Sequence, residues 1–168
     1  STDRESFEPA ARRYADTLYR VAYQALKNRA DAEDVMQTAL LRLLERDTAF
    51  ESEAHMRNWL IRVAINESRK ILRGAWRRHI FSLNEDWDAP AFDNTAQREL
   101  FDAVMHLPRN DRMVIYLFYY EEMTTEEIAC ILSVKPTTIR SRLMRARQKL
   151  KRELTEESFP AKQTLKEV

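Results

Sequence analysis

Only one glycine, Gly74, and five prolines interrupt 168 residues. A chain so poor in helix breakers has few places to bend sharply, so it favours continuous helices joined by short connections. The fold class it predicts is all-α. Hydrophobic residues make up 44% of the chain, enough to build packed cores, and the length suits one domain or two small ones. No apolar run approaches the length of a membrane span and no signal-peptide pattern opens the chain, so membrane insertion is not expected. The single cysteine, Cys130, excludes an internal disulfide framework and fits a reducing cytoplasm. Within EEIACIL it reads as a small core residue.

Apolar spacing places the helices. Phe7, Ala11, Tyr14, Leu18, Val21, Ala22 and Ala25 share a face, which predicts a first helix from about Ser6 to Leu26. Asn28 to Asp31 reads as a turn with Asp31 as N-cap. The second helix, Ala32 to Arg46, would bury Val35, Ala39, Leu40 and Leu43. A polar, acidic loop with one aromatic, Phe50, spans Asp47 to Ala54. The third helix, about His55 to Arg73, points Met56, Leu60, Val63, Ala64 and Ile71 inward, with Trp59 also read as core and Gly74 as its stop. From Ala75 to Asn94 the periodicity fades, and a linker is placed at about 78–94. Ile80, Phe81, Leu83, Trp87 and Phe92, with Trp76 just before them, suit segments that dock on a partner or a domain. Thr95 to His106 is a helix, Leu107-Pro108 breaks it, and Asn110 to Tyr120 is another, with Val114, Ile115, Leu117 and Phe118 available for a core.

The most informative stretch follows, TTEEIACILSVKPTTIRSRLMRARQKLKREL. Thr124 and Glu127 form a capping box for a short helix, which Ile128, Ala129, Ile131 and Leu132 would bury. After a break at Ser133-Val134-Lys135, Pro136 suits the first position of a new helix. Ile139, Leu143, Ala146, Leu150 and Leu154 make one apolar stripe. The other faces carry Arg140, Arg142, Arg145, Arg147, Lys149, Lys151 and Arg152. Helix, short turn, basic helix is the pattern in which the second helix enters the DNA major groove.

The net charge is only +1, but its distribution is uneven. Residues 57–78 hold seven bases against one acid, Glu67, for a net +6. Residues 31–53 hold seven acids against Arg42 and Arg46, for −5, and residues 85–102 hold six against Arg98, again −5. The positive segments suit a polyanion; the acidic ones face another partner or solvent.

Two blocks carry a family resemblance. LPRNDRMVIYLFYYEEMTTEEIACILSVKPTTIRSRLMRARQKLKREL resembles region 4 of sigma factors, and DAEDVMQTALLRLLERDTAFESEAHMRNWLIRVAINESRKILR resembles their region 2. The order of the blocks, the short linker, the lack of a third conserved domain between them and the lack of an acidic extension before them resemble the extracytoplasmic-function (ECF) group of sigma-70-type factors. The resemblance implies region 2 at 1–77, a linker at 78–94, region 4 at 95–155 and a tail at 156–168. It implies a non-enzymatic subunit of the bacterial cytoplasm, monomeric when free and without cofactor or metal. Its partners would be core RNA polymerase (the clamp helices of the largest subunit and the flap), promoter DNA and an anti-sigma factor. Asp31, Glu33, Asp34 and Gln37 match the segment that docks on the polymerase clamp; a carboxylate-rich helix face can meet basic side chains there. Phe50, the loop from Glu51 to His55, and Asn66 match the pocket for a flipped −10 base, which needs an apolar wall and an amide-type partner. Arg62, Arg69, Lys70 and Arg73 would line the DNA backbone. Thr137, Thr138, Arg140, Ser141, Met144 and Arg145 match the face that reads the −35 element, with Arg140 and Arg145 the strongest candidates for base or phosphate contacts. Arg142 and Arg147 would serve phosphates or salt bridges within the domain. Ser133 stands where the turn commonly has glycine and Lys135 where a serine-type cap is common.

Two other classes of protein need features of their own. A stand-alone dimeric helix-turn-helix regulator would need an effector pocket or a dimer seam in the N-terminal half, and the sequence displays neither. An enzyme would need a constellation of catalytic groups. The carboxylates lie on solvated helix faces, and His55, His79, His106 and Cys130 are dispersed without zinc-like spacing.

Overall fold

A computed structural model describes residues 4–78 and 95–154. The chain divides into two compact units, Ser1–Ala89 and Pro90–Val168. Among the described residues all regular structure is helical. The linker residues 79–94, with Ile80, Phe81, Leu83, Trp87 and Phe92, and the tail from Thr155 lie outside the described residues.

The first unit packs three helices mutually: α1 (Arg4–Leu26), α2 (Arg29–Glu45) and α3 (Glu53–Arg78). Leu18, Val21, Val35, Leu43, Leu60 and Ile61 are essentially inaccessible to water. Each large side chain buried this way contributes about 1.5–3 kcal/mol. Ala22, Ala32, Ala39 and Ala64 lie in the same interior; their small side chains let helices approach closely. Leu40, Met56, Trp59 and Ile71, all expected inside, are only half-buried. The α1–α2 corner is tight. Lys27 takes a left-handed conformation (φ 53°), and the Asn28 side chain accepts the Asp31 N–H. Asn28 is therefore the N-cap expected at Asp31, and α2 begins three residues earlier than predicted.

Gly74 does not stop α3, which runs on to Arg78. A glycine can end a helix by adopting positive φ, but no glycine does so here.

The second unit contains α4 (Thr95–His106), α5 (Arg109–Ile115), α6 (Thr125–Leu132) and α7 (Pro136–Glu153). The helix expected over 110–120 starts as α5 and continues as a π-helical turn, Tyr116–Tyr120. Its buried side chains include Val114, Ile115 and Leu117, whereas Phe118 is half-buried. The capping box at Thr124 and Glu127 is present in both directions. Ser133 makes the turn before α7 in left-handed conformation, φ 59° and ψ 44°. Lys135 caps α7 without a side-chain bond, and Pro136 occupies the first turn. Cys130 is exposed rather than buried, because the inward face of α6 is filled by Ile128, Ala129, Ile131 and Leu132.

A Cβ at Gly74 would meet nothing within 4 Å. Gly74→Ala should therefore stabilise the protein by about 0.5–1 kcal/mol, the usual difference inside a helix. A higher urea midpoint at unchanged slope is the expected reading.

Candidate nucleic-acid interface

In the first unit, the solvent face of α3 is built by spacing. Arg62, Asn66, Arg69, Lys70 and Arg73 recur at intervals that share one side of a helix. Arg62, Asn66, Lys70 and Arg73 are exposed and Arg69 half-buried. The one acid of this basic segment, Glu67, is half-buried and accepts Lys70 Nζ at 3.1 Å. It also pairs with Arg42 of α2, so it fastens the basic helix to its neighbour and partly neutralises Lys70.

The loop before α3 holds an aromatic cluster. The Phe50 ring lies 5.1 Å from His55 and 5.5 Å from Trp59, both edge to face. The Arg46 guanidinium stacks over Phe50 at 4.3 Å and over Trp59 at 4.9 Å, while its Nε donates to the Thr48 carbonyl. Phe50 thus supplies an aromatic wall, already covered on one side by a cation. Asn66 lies two turns beyond Trp59 on the same face, about 10 Å along the axis. Sequence reading missed Arg46; the signal was its position as one of two bases in an acidic stretch. The loop's shape is held from both ends. The Glu51 N–H donates to His55 Nδ1, and the His55 N–H donates to Ser52 Oγ. From α1, the Tyr14 hydroxyl donates to Glu53 Oε2 at 2.6 Å, and Arg13 pairs with Oε1 at 3.0 Å.

On α2, Asp34 and Gln37 are exposed, and Leu41, 56% accessible, continues their stripe. Asp31 and Glu33 are half-buried. Asp31 lies in the first turn, and Glu33 accepts Arg29 at 3.3 Å.

In the second unit, Ile139, Leu143, Ala146 and Leu150 are buried. That rotation presents Thr137, Arg140, Ser141, Met144 and Arg145 to solvent, with Thr138 and Arg142 half-covered. Met144 is 54% accessible, unusual for its type and suited to an apolar contact with a thymine methyl. Arg145 Nη2 bonds Asp111 Oδ1 of α5 at 3.2 Å, and Lys149 Nζ lies 3.8 Å from Oδ2. Arg147, expected to serve phosphates or salt bridges within the domain, is buried inside the unit. Its Nε donates to the Tyr119 hydroxyl at 2.7 Å, and its guanidinium lies over Phe118 and Tyr119. Arg112 is also buried. It donates to the carbonyls of Met105 and Leu107, closing the end of α4, and burial, with Arg109 nearby, pulls its pKa down to about 10. It stays charged at neutral pH.

Among the described residues, no His, Cys, Asp and Glu side chains gather as a metal site, and no helix is long and apolar enough to cross a membrane.

The family profile of sigma-70 region 2 matches residues 10–78, and that of sigma-70, region 4 matches residues 97–150. The chain is 31% identical to the ECF RNA polymerase sigma factor SigE of Mycolicibacterium smegmatis, over 95% of this chain and 65% of that protein. It therefore spans about two thirds of that relative's length. It is also 31% identical to the RNA polymerase sigma-E factor of Streptomyces coelicolor, over 93% of this chain and 90% of that one. Among solved structures, the sigma factor RpoE in complex with the anti-sigma factor NepR from Bartonella quintana has TM-score 0.75 at 22% identity, covering 87% of this chain and 94% of that one. CnrH in complex with the cytosolic domain of CnrY has TM-score 0.64 at 23% identity, covering 90% and 88%. At these identities the structural likeness establishes the fold.

The bond from Tyr14 is the chief reason the Glu53 carboxyl sits below its ordinary range, with Arg13 adding to it. Stability from such a lowered group is fully present above the unfolded carboxylate's pKa and lost as pH falls through the folded value. Tyr14→Phe should therefore destabilise the protein near neutral pH, and by less once Glu53 is protonated. Urea unfolding at the two pH values checks this; equal losses would break the link.

Proposed function

Because the chain belongs to the extracytoplasmic-function group of RNA polymerase sigma factors, we propose that it joins core polymerase and directs it to promoters. The observation that carries this reading is the rotation of α7. Its apolar stripe is buried, so the side chains left outside are threonines, serine, methionine and arginines. These can take phosphates, base edges and thymine methyls in a major groove. In this reading α7 recognises the −35 element through Thr137, Thr138, Arg140, Ser141, Met144 and Arg145.

The −10 element falls to the first unit. Its separated strand runs along Arg62, Arg69, Lys70 and Arg73, with a flipped base received near Phe50 and Asn66. The basic stripe supplies backbone affinity that does not depend on sequence, and the aromatic loop supplies a stacking surface. Asp34 and Gln37, flanked by Asp31 and Glu33, dock on the polymerase clamp, and the exposed Leu41 extends that face. The functional division places region 2 within 1–77, region 4 within 95–155 and a linker between them. The RpoE structure is of a complex with the anti-sigma factor NepR; by analogy, an anti-sigma protein holds this chain inactive in the bacterial cytoplasm.

Specificity then comes from two modest readers whose spacing the polymerase sets. In vitro transcription with bacterial core polymerase over a genomic promoter library tests it: discrete start sites that depend on the chain are expected, and none would refute the function. Specific duplex binding without polymerase would favour a stand-alone regulator. Arg140→Ala should cost about 1–3 kcal/mol of discrimination at one −35 base pair if it makes a paired base contact. Asp34→Lys should weaken core binding with an unchanged helical spectrum. Normal core affinity in that variant would move the docking face elsewhere.

A further inference from the structure

We propose that Asp111 is a positioning residue for DNA reading: its buried carboxylate holds Arg145 in the pose in which α7 meets a base pair. The proposal rests on the reading that α7 enters the major groove.

Asp111 sits in the first turn of α5, where an acid is favourable for the helix dipole alone. That role does not require burial, yet the residue is only 3% accessible. Its two oxygens face two cations one turn apart on another helix, Arg145 on Oδ1 and Lys149 on Oδ2. Both cations are partly in water, with side chains 53% and 40% accessible, whereas the carboxylate is 5%. The fixed partner in this cluster is therefore the acid, and the arginine is the arm it steadies. The recorded bond takes one amino group of a guanidinium that has five N–H donors. An arginine so fastened has already lost much of its rotamer freedom, so less ordering remains for DNA binding.

Charge supplies the distinguishing signature. Asp111 lowers the net positive charge of this face, so removing its charge should strengthen sequence-independent attraction to phosphates. The same change releases Arg145 and should blur base choice. A purely structural acid would not separate the two effects; losing it would weaken both together.

The test uses holoenzyme assembled from the full chain and core polymerase. Initiation is measured over a promoter library carrying every single-base change in the −35 element, for the parent chain, Asp111→Asn, Arg145→Ala and the double variant. Binding of the full chain to a scrambled duplex at low salt, and the melting temperature, are measured alongside. Arg145→Ala is expected to reduce discrimination at one base pair by about tenfold. Asp111→Asn should reduce it at the same pair, the double variant should be no worse than Arg145→Ala, and scrambled-duplex affinity of Asp111→Asn should rise. Effects that add, a different base pair, or specific and non-specific binding falling together would overturn the positioning role while leaving groove reading intact. An unchanged profile for Arg145→Ala would overturn the Arg145 contact itself, and the proposal with it. Should Asp111→Asn fail to fold, Lys149→Met leaves the carboxylate to Arg145; discrimination should hold or rise, and a fall at that pair would overturn the proposal.

Discussion

The burial of Ile139, Leu143, Ala146 and Leu150 fixes how α7 is rotated, and what the second unit offers to solvent follows from that rotation. A helix has no other means of choosing which residues it displays. Once these four are inside, Arg140, Ser141, Met144 and Arg145 must be outside, and Arg147, next to Ala146, must be inside as well. The same packing that stabilises the unit therefore sorts the arginines of α7 into those left towards solvent and one, Arg147, enclosed by aromatics.

The two units handle charge differently. In the first, Glu67 keeps 15% of its side chain accessible and takes Arg42 and Lys70, whose side chains stay largely in water, so the pairing contributes modestly. In the second, Asp111, Arg112 and Arg147 are each about 3% accessible. Arg112 finds two carbonyls, and Asp111 finds two cations. Arg147 bonds one hydroxyl and lies on aromatic faces, while its two amino groups have no hydrogen-bond partner among the described residues. Desolvated groups of this kind tolerate loss of a partner poorly, which ties the alignment of α5 and the π-turn against α7 to a few polar contacts.

The helices, the two-unit division and the buried stripes were legible because they depend on apolar spacing, which is read directly. The capping box at Thr124 and Glu127 was legible for the same reason, being a pair of residue types at a fixed interval. Gly74 misled because glycine permits a helix end without compelling one, and nothing after it forces a turn. Asp31 misled because Asn28, three residues earlier, is an equally good cap, and competition between two caps is settled by packing. Cys130 was misplaced because its residue type outweighed its spacing: it lies about half a turn from the centre of the face that Ile128, Ala129, Ile131 and Leu132 bury. Arg147 lies at the border of the α7 stripe, where one step of rotation moves a residue from water to core. At the candidate interface, the exposed positions on α3 and α7 follow from periodicity. Asp111 against Arg145 and Arg46 over Phe50 do not, since both pair residues on different elements. Left-handed backbone at Lys27, Glu122 and Ser133 was equally invisible. A chain with one glycine must make such corners from ordinary residues, each at a cost on the order of 1 kcal/mol.

The π-turn at Tyr116–Tyr120 follows α5 without a break. Such a turn closes through i→i+5 bonds and takes more residues per turn than an α-helix; here the Glu121 N–H reaches back to the Tyr116 carbonyl and the helix ends. Each side chain inside it is therefore turned by less than the roughly 100° per residue of an α-helix. That narrower step belongs to the path by which the hydroxyl of Tyr119, inside the turn, reaches Arg147. The segment therefore encodes a number as well as a composition. Shortening it by one would leave an unbroken helix of similar residues, yet would swing the hydroxyl away from the buried guanidinium.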